Sequence, residues 1–196
     1  MPAASTNPKV AVILPVFNTE RYPPECLRSI LEQKYQELDV FAVNDESTDN
    51  SRAILEEFSR RDPRVHIIDQ KNSGASEARN TGLSEVEARN CYQYISFVDS
   101  DDTVAPDFLS NLVSEAENTA AEVTICGYSK LYDDGTTKEI SKSVAHPIAN
   151  KIDFLKLVFS IKEGKRTKSS GGMVWEKSVP GQHHQGTAIP CRQGCD

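Results

Sequence analysis

Apolar and polar positions change period several times along the chain, and each change marks an element. Residues 9–17 (KVAVILPVF) form a near-continuous apolar run rich in Val and Ile, the pattern of a central strand buried on both faces, with Pro15 breaking it at its C-terminal end. A helix is expected over 24–34, where Pro24 suits the first turn and Cys26, Leu27, Ile30 and Leu31 share one face. Residues 38–43 read as a second strand running into the polar stretch Asn44 to Asp49, which offers caps for a helix over 51–61. Arg60 and Arg61 complement that helix's dipole and Pro63 stops it. A short strand at 65–68, a turn through 72–76 and a helix over 76–86 follow. Residues 94–98 are a further strand, 106–120 a helix and 122–128 another strand, and Asp134-Gly135 between Tyr132 and Ile140 has hairpin chemistry. An amphipathic helix is expected over 152–161 and a Lys/Arg/Ser/Gly loop over 162–170, before Met173-Val174-Trp175 restores apolar character. Strand and helix alternate through most of this length. That predicts an α/β protein with a doubly wound, mainly parallel twisted sheet flanked by helices and a late antiparallel hairpin. One domain is expected over 1–177, and 178–196, which has no periodicity, reads as an irregular tail.

Composition changes this picture only by exclusion. The 196 residues suit one domain with a real core. A formal net charge of -7 argues against a nucleic-acid partner held by bulk electrostatics, which needs a basic face to displace counterions. No run of about 18 apolar residues predicts a membrane span, and the first eight residues lack the basic and apolar regions of a secretion signal, so a cytoplasmic location is expected. Five cysteines, odd in number and mostly far apart, read as reduced thiols.

The chemistry concentrates in residues 94–102 (YISFVDSDD), where a buried strand ends in three carboxylates, Asp99, Asp101 and Asp102, within four positions. Two unit charges ~4 Å apart repel by roughly 1 kcal/mol in bulk water and about 4 kcal/mol at a surface-like dielectric, so such a knot usually holds a cation. Oxygen-only donors suit Mg²⁺ or Mn²⁺, and Mg²⁺ commonly shares its shell with substrate phosphates. The plainer alternative is that Asp99 and Ser100 form a turn before the next helix. Two other strand ends carry unusual residues, Pro15 to Glu20 and Asn44 to Asp49, and in a parallel sheet all three can meet at one edge with the start of the helix near Asn72 to Asn80. Asp45 alone reads as a cap. Arg79 could hold the acidic strand ends in register or reach a phosphate with its planar fork; alternatively it pairs with Glu77 or Glu85 at the surface. There is no Gly-x-Gly-x-x-Gly after the first strand and no Gly-Lys-Ser/Thr loop, which leaves a metal to carry phosphates.

The segments PVFN (15–18), CLRSILEQ (26–33), VNDESTD (43–49), NSGASEARNTGL (72–83) and FVDSDD (97–102) together resemble the ordered motif set of family 2 glycosyltransferases, inverting enzymes with the Rossmann-like GT-A fold, and 171–177 resembles a later family segment. The resemblance implies a nucleotide-sugar donor, commonly a UDP-sugar, and a glycan or lipid-linked acceptor. It places Pro15, Phe17 and Glu20 around the nucleoside, Asp45 on the base, Arg79 beside the diphosphate, Asp99 on the ribose and diphosphate side, Asp101 as main metal ligand with Asp99, and Asp102 on the donor sugar. The divalent ion would neutralise the departing diphosphate, and a carboxylate base would take the acceptor proton. Two departures stand out. Glu46 occupies a position where the family usually has Gly, and no Glu-Asp pair follows Trp175 to serve as the family's base, so the ending reads as truncated or frame-shifted. The rival of another class is therefore a donor-binding remnant without turnover. A nucleotidyltransferase would need a Gly- and Lys-bearing loop that 18–24 does not supply. His183, His184, Cys191 and Cys195 have zinc-ligand chemistry at a spacing that fits no common site. Lys162, Lys165, Arg166 and Lys168 could touch an acceptor phosphate or anionic lipid, which keeps peripheral membrane association at the inner face open; a solvated loop is the plainer reading.

Overall fold

The computed structural model describes residues 7–121, 123–131, 136–141 and 173–176. The expected helix over 152–161, the loop over 162–170, the hairpin turn at 134–135 and the tail with its His and Cys residues lie outside the described residues. The chain divides into two compact units, 1–124 with 173–177, and 125–172 with 178–196.

In the first unit, strands β1 (Val10–Val16), β2 (Leu38–Asp45), β3 (Val65–Gln70) and β4 (Tyr94–Phe97) alternate with helices α1 (Pro23–Leu31), α2 (Ser51–Arg61) and α3 (Ala75–Arg89), followed by α4 (Phe108–Thr119) and β5 (Val123–Ile125). Strands β6 (Tyr128–Leu131) and β7 (Thr137–Ser141) form an antiparallel pair of their own, and β8 (Met173–Glu176) returns to the main sheet, whose order is β3-β2-β1-β4-β8-β5. β1 lies parallel between β2 and β4, with Val10 opposite Leu38 on one side and Tyr94 on the other. β8 runs antiparallel to β4, Tyr94 facing Glu176, so the apolar fragment at 173–175 supplies a sheet strand.

Helix and strand ends shift from the sequence expectation by one to three residues, and three of the differences have a clear local reason. Pro15 does not break β1: it sits opposite Val43 inside the strand. Ile13 turns its carbonyl toward Val98 (3.2 Å), and Pro15, two residues on, faces the same side beyond the last β1–β4 pair, where its missing N–H interrupts no ladder. β2 runs on through Asn44 and Asp45, because both side chains are buried with hydrogen-bond partners. The apolar stretch 122–128 is not one strand: it divides at Cys126-Gly127 into β5 and β6, where glycine weakens the extended run.

Every residue of β1 and β2 is buried, as their unbroken apolar patterns require. Ala11, Ile13, Phe41, Val86, Tyr92 and Ile95 form one core cluster between the sheet and α3. The tightest approach is at Gly82, where an added Cβ would lie 2.6 Å from Ile13 Cγ2. Gly82→Ala should therefore lower stability by about 1–2 kcal/mol despite alanine's better helix propensity. The check is a lower urea midpoint at unchanged slope, with most of the penalty gone in an Ile13→Ala background.

Candidate functional site

Parallel pairing sends β1, β2 and β4 out of the sheet at the same edge, and the loops that leave them are bonded to one another in a closed circuit. The first link joins residues 18–20 to 47–51. Asn18, in the left-handed region at φ 49, accepts from Thr48 N at 2.8 Å and donates its own N–H to Ser47 Oγ at 3.2 Å. Thr19 N donates to Ser51 Oγ (3.0 Å) and Glu20 N to Asp49 Oδ2 (2.9 Å), while Glu20 Oε2 accepts from Asn50 N and Nδ2 at 3.0 and 2.8 Å. These side chains satisfy backbone donors that no ladder reaches.

The second link is Asp45, only 2% exposed at the end of β2. Its Oδ1 accepts from Ser73 N (2.9 Å) and Gln70 Nε2 (2.7 Å), and its Oδ2 from Gly74 N (2.9 Å). Gly74 has φ 88, a conformation that glycine adopts without strain, and it is this turn that aims two consecutive N–H groups at one carboxylate ahead of α3. Burial opposes ionisation of Asp45, but the bonds from Gln70, Ser73 and Gly74 outweigh it and hold its carboxyl below the usual range. The third link is Arg79, one turn into α3, whose Nη2 meets Asp99 Oδ1 at 2.5 Å. Thr19 Oγ1 closes the circuit by donating to Ser100 Oγ at 3.2 Å.

Inside the circuit lies an open cavity of about 360 Å³ lined by Pro15, Phe17, Asp45, Arg79, Asp99 and Asp101, among others. Asp102, just outside its lining, is pushed up to about 6, first by burial and then by the charges of Asp101 and Asp99. The Cys26 thiol beneath is raised to about 12, by burial first and then by the same three carboxylates. Negative potential is thus concentrated at the end of β4 with Arg79 as a cationic partner at one side. Among the described residues no group of three His, Cys, Asp or Glu is arranged to hold a metal ion unaided. Two oxygen-donor carboxylates facing a cavity still fit a hard divalent cation whose shell is completed by phosphate and water, which is how Mg²⁺ is commonly held.

The family model described as glycosyl transferase family 2 matches residues 11–179. The chain belongs to this family. Its sheet is the GT-A fold, a mainly parallel sheet flanked by helices with a small antiparallel pair. Glycosyltransferase GlyA of Streptococcus pneumoniae serotype 4 is 41% identical over 120 residues, 61% of this chain and 17% of GlyA. The S. aureus TarS fragment 1–349, crystallised in complex with UDP-GlcNAc, is similar at a TM-score of 0.55 and 29% identity, over 60% of this chain and 34% of that one. The mannosyltransferase PcManGT from Pyrobaculum calidifontis, solved in complex with GDP-Man and Mn²⁺, shares the fold at a TM-score of 0.54 and 24% identity, over 66% of this chain and 38% of that one. The family 2 chain therefore spans well under half the length of these relatives.

Of the residues singled out from the sequence, Pro15, Phe17, Asp45, Arg79, Asp99 and Asp101 line the cavity together; Glu20 and Asp102 stand outside it. Glu20 spends its carboxylate on Asn50. Arg79 pairs with Asp99, while Glu77 accepts from Asn80 and Glu85 from Arg89. Thr19, Ser100 and Gly74 have only loop and turn roles from the sequence, yet they close the circuit. Their signal was faint: Thr19 and Ser100 look like ordinary loop residues, and only the glycine after Asn72-Ser73 marks a special turn.

Two expectations follow from these links. Because the folded-state pKa of Asp45 is depressed, its stabilisation is present in full above about pH 4 and is lost as pH falls from there through the folded value. Asp45→Asn, which turns an amide donor toward N–H donors, should cost about 2 kcal/mol at pH 7 and flatten the acid limb of the stability profile measured by urea titration. At Glu46 the departure from family glycine falls on a left-handed residue, φ 59, whose exposed carboxylate accepts from Asn72 N at 3.2 Å. Left-handed backbone costs a non-glycine residue about 1–2 kcal/mol and an exposed hydrogen bond returns about 0.5–1 kcal/mol, so Glu46→Gly should raise the thermal midpoint by a few degrees.

Proposed function

We propose that this chain captures a UDP-sugar in the cavity at the carboxyl edge of its sheet and transfers the sugar, with inversion, to a glycan or lipid-linked acceptor. The observation that carries the reading is the circuit that gathers Asp45, Arg79, Asp99 and Asp101 onto one cavity in a family 2 glycosyltransferase. The structurally similar TarS fragment was crystallised in complex with UDP-GlcNAc, which supports the same donor class.

In this reading Pro15 and the half-exposed Phe17 flank the nucleoside, and Asp45, with one acceptor site of Oδ2 still open, meets the base edge. Arg79 offers its fork to the diphosphate while keeping Asp99 in place. Asp101 and Asp99 supply the protein oxygens for Mg²⁺ or Mn²⁺, with Asp102 toward the donor sugar. When bound, the ion supplies charge neutralisation for the leaving diphosphate. Glu20 acts at one remove, by fixing the loop that carries Phe17. Among the described residues no helix is long and apolar enough to cross a membrane, and work at the cytoplasmic face on a lipid-linked acceptor is part of the proposal.

Calorimetry with UDP tests the site. Tight binding in Mn²⁺ should weaken at least tenfold in chelator, about 1.4 kcal/mol, and Asp101→Ala in Mn²⁺ should match the wild type in chelator. Equal UDP binding with and without metal would sink the assignment of Asp99 and Asp101. Donor hydrolysis or transfer that disappears in Asp101→Ala supports the enzyme. Metal-dependent binding with no turnover across an acceptor panel supports donor capture as the chain's whole role.

A further inference from the structure

Residues 98–107, between β4 and α4, carry Asp99 and Asp101 to the cavity. An irregular stretch of this kind has no ladder to hold it, and two of its side chains repel each other, so something else must fix its backbone. Besides the Ile13 carbonyl, which takes the Val98 N–H, and the contacts of Thr19 to Ser100 and Arg79 to Asp99, the anchors come from α1 and the turn after it. Cys26 Sγ donates to the Asp99 carbonyl at 3.5 Å. Ser29 Oγ donates to the Cys26 carbonyl at 2.7 Å and accepts from Val104 N at 3.1 Å. Gln33, 1% exposed, donates to the Ala105 carbonyl at 2.6 Å and accepts from Leu109 N at 3.0 Å, and Lys34 N donates to the Pro106 carbonyl at 2.8 Å. The side chains fall three and four residues apart, the spacing of one helix face. None of them lines the cavity.

We propose that Cys26, Ser29 and Gln33 are positioning residues for donor binding: their bonds to residues 99, 104, 105 and 109 hold the acidic loop so that Asp99 and Asp101 face the diphosphate together. The inference rests on the donor reading above. An apolar side chain could fill the same space, but it would give no directional bond to the loop backbone at 99, 104 and 105, and the Arg79 and Thr19 contacts hold only the side chains of Asp99 and Ser100. Loss of one anchor should harm the half of the site that meets phosphate and metal. The nucleoside half, built on β1, β2 and the start of α3, should be untouched.

Ser29→Ala in the whole 196-residue chain tests this, using UDP with Mn²⁺ and uridine without metal as separate probes. Affinity for UDP with Mn²⁺ should fall fivefold or more while uridine affinity stays within twofold. Amide exchange should quicken at Asp102 and Val104, and Ser29→Thr, which keeps the hydroxyl, should restore UDP binding. Equal losses for uridine and UDP would mean a structural role only and overturn the inference, as would wild-type UDP binding by Ser29→Ala. If the wild type itself fails to bind UDP in Mn²⁺, the donor reading falls and this inference with it. Should Ser29→Ala not fold, Cys26→Ala is judged by the same split.

Discussion

The constraint on which everything else depends is the parallel register of β1 between β2 and β4. It brings three loops out at one edge, where their backbone groups have left the ladder and crowd one another. A buried or half-buried N–H without a partner is costly, so the loops must bond to each other. They do so through short polar side chains: Asn18, Asp45, Asp49 and Ser51 each accept from the backbone of a different segment or of their own cap. Each such bond is worth only about 1 kcal/mol net. Because they close on themselves, opening one loop exposes the donors of the next, and the site holds its shape more firmly than any single bond would suggest.

Electrostatics runs the other way. Three carboxylates crowd the end of β4: burial first, and then the charges of Asp101 and Asp99, raise Asp102, burial and then all three raise the Cys26 thiol, and Arg79 pairs with Asp99. Burying or crowding like charges weakens a fold, so the arrangement has no rationale as packing. The same holds for Glu46, held left-handed next to Asp45 of the cavity lining. Local rules broken in one place while the core obeys them elsewhere point to a site kept for binding.

How much of this could be read from residues alone divides by range. Strand and helix identities followed from local periodicity, because the apolar runs of β1 and β2 are buried on both faces and those of α1 on one. Convergence of the strand ends followed from parallel topology. What local pattern did not carry was the partner of each polar side chain. Asp45 caps no helix but takes the turn N–H groups of Ser73 and Gly74, nearly thirty residues on, and Arg79 passes over the nearby Glu77 and Glu85 to reach Asp99. Pro15 misled for the same reason: its effect depends on which neighbour faces its nitrogen, which is a property of the sheet. Ser29 and Gln33 gave no signal because a polar residue on a helix flank looks solvated until the loop that covers it is in place.

The circuit around the cavity runs from Pro15 to Asp101 and lies wholly in the first compact unit. Among the described residues every link of the circuit lies in the first unit, within about half of the sequence. Relatives that share this portion are longer than it, and the identity with GlyA extends over 120 residues of a much larger protein. Under the proposed donor reading such a unit can be joined to different acceptor-binding parts without rebuilding its charge balance, since Asp45 takes its hydrogen bonds from Gln70, Ser73 and Gly74, Asp99 takes its own from Arg79, and the acidic loop is bonded to α1. In that reading donor recognition belongs to this unit's fold, and acceptor choice to the parts joined to it.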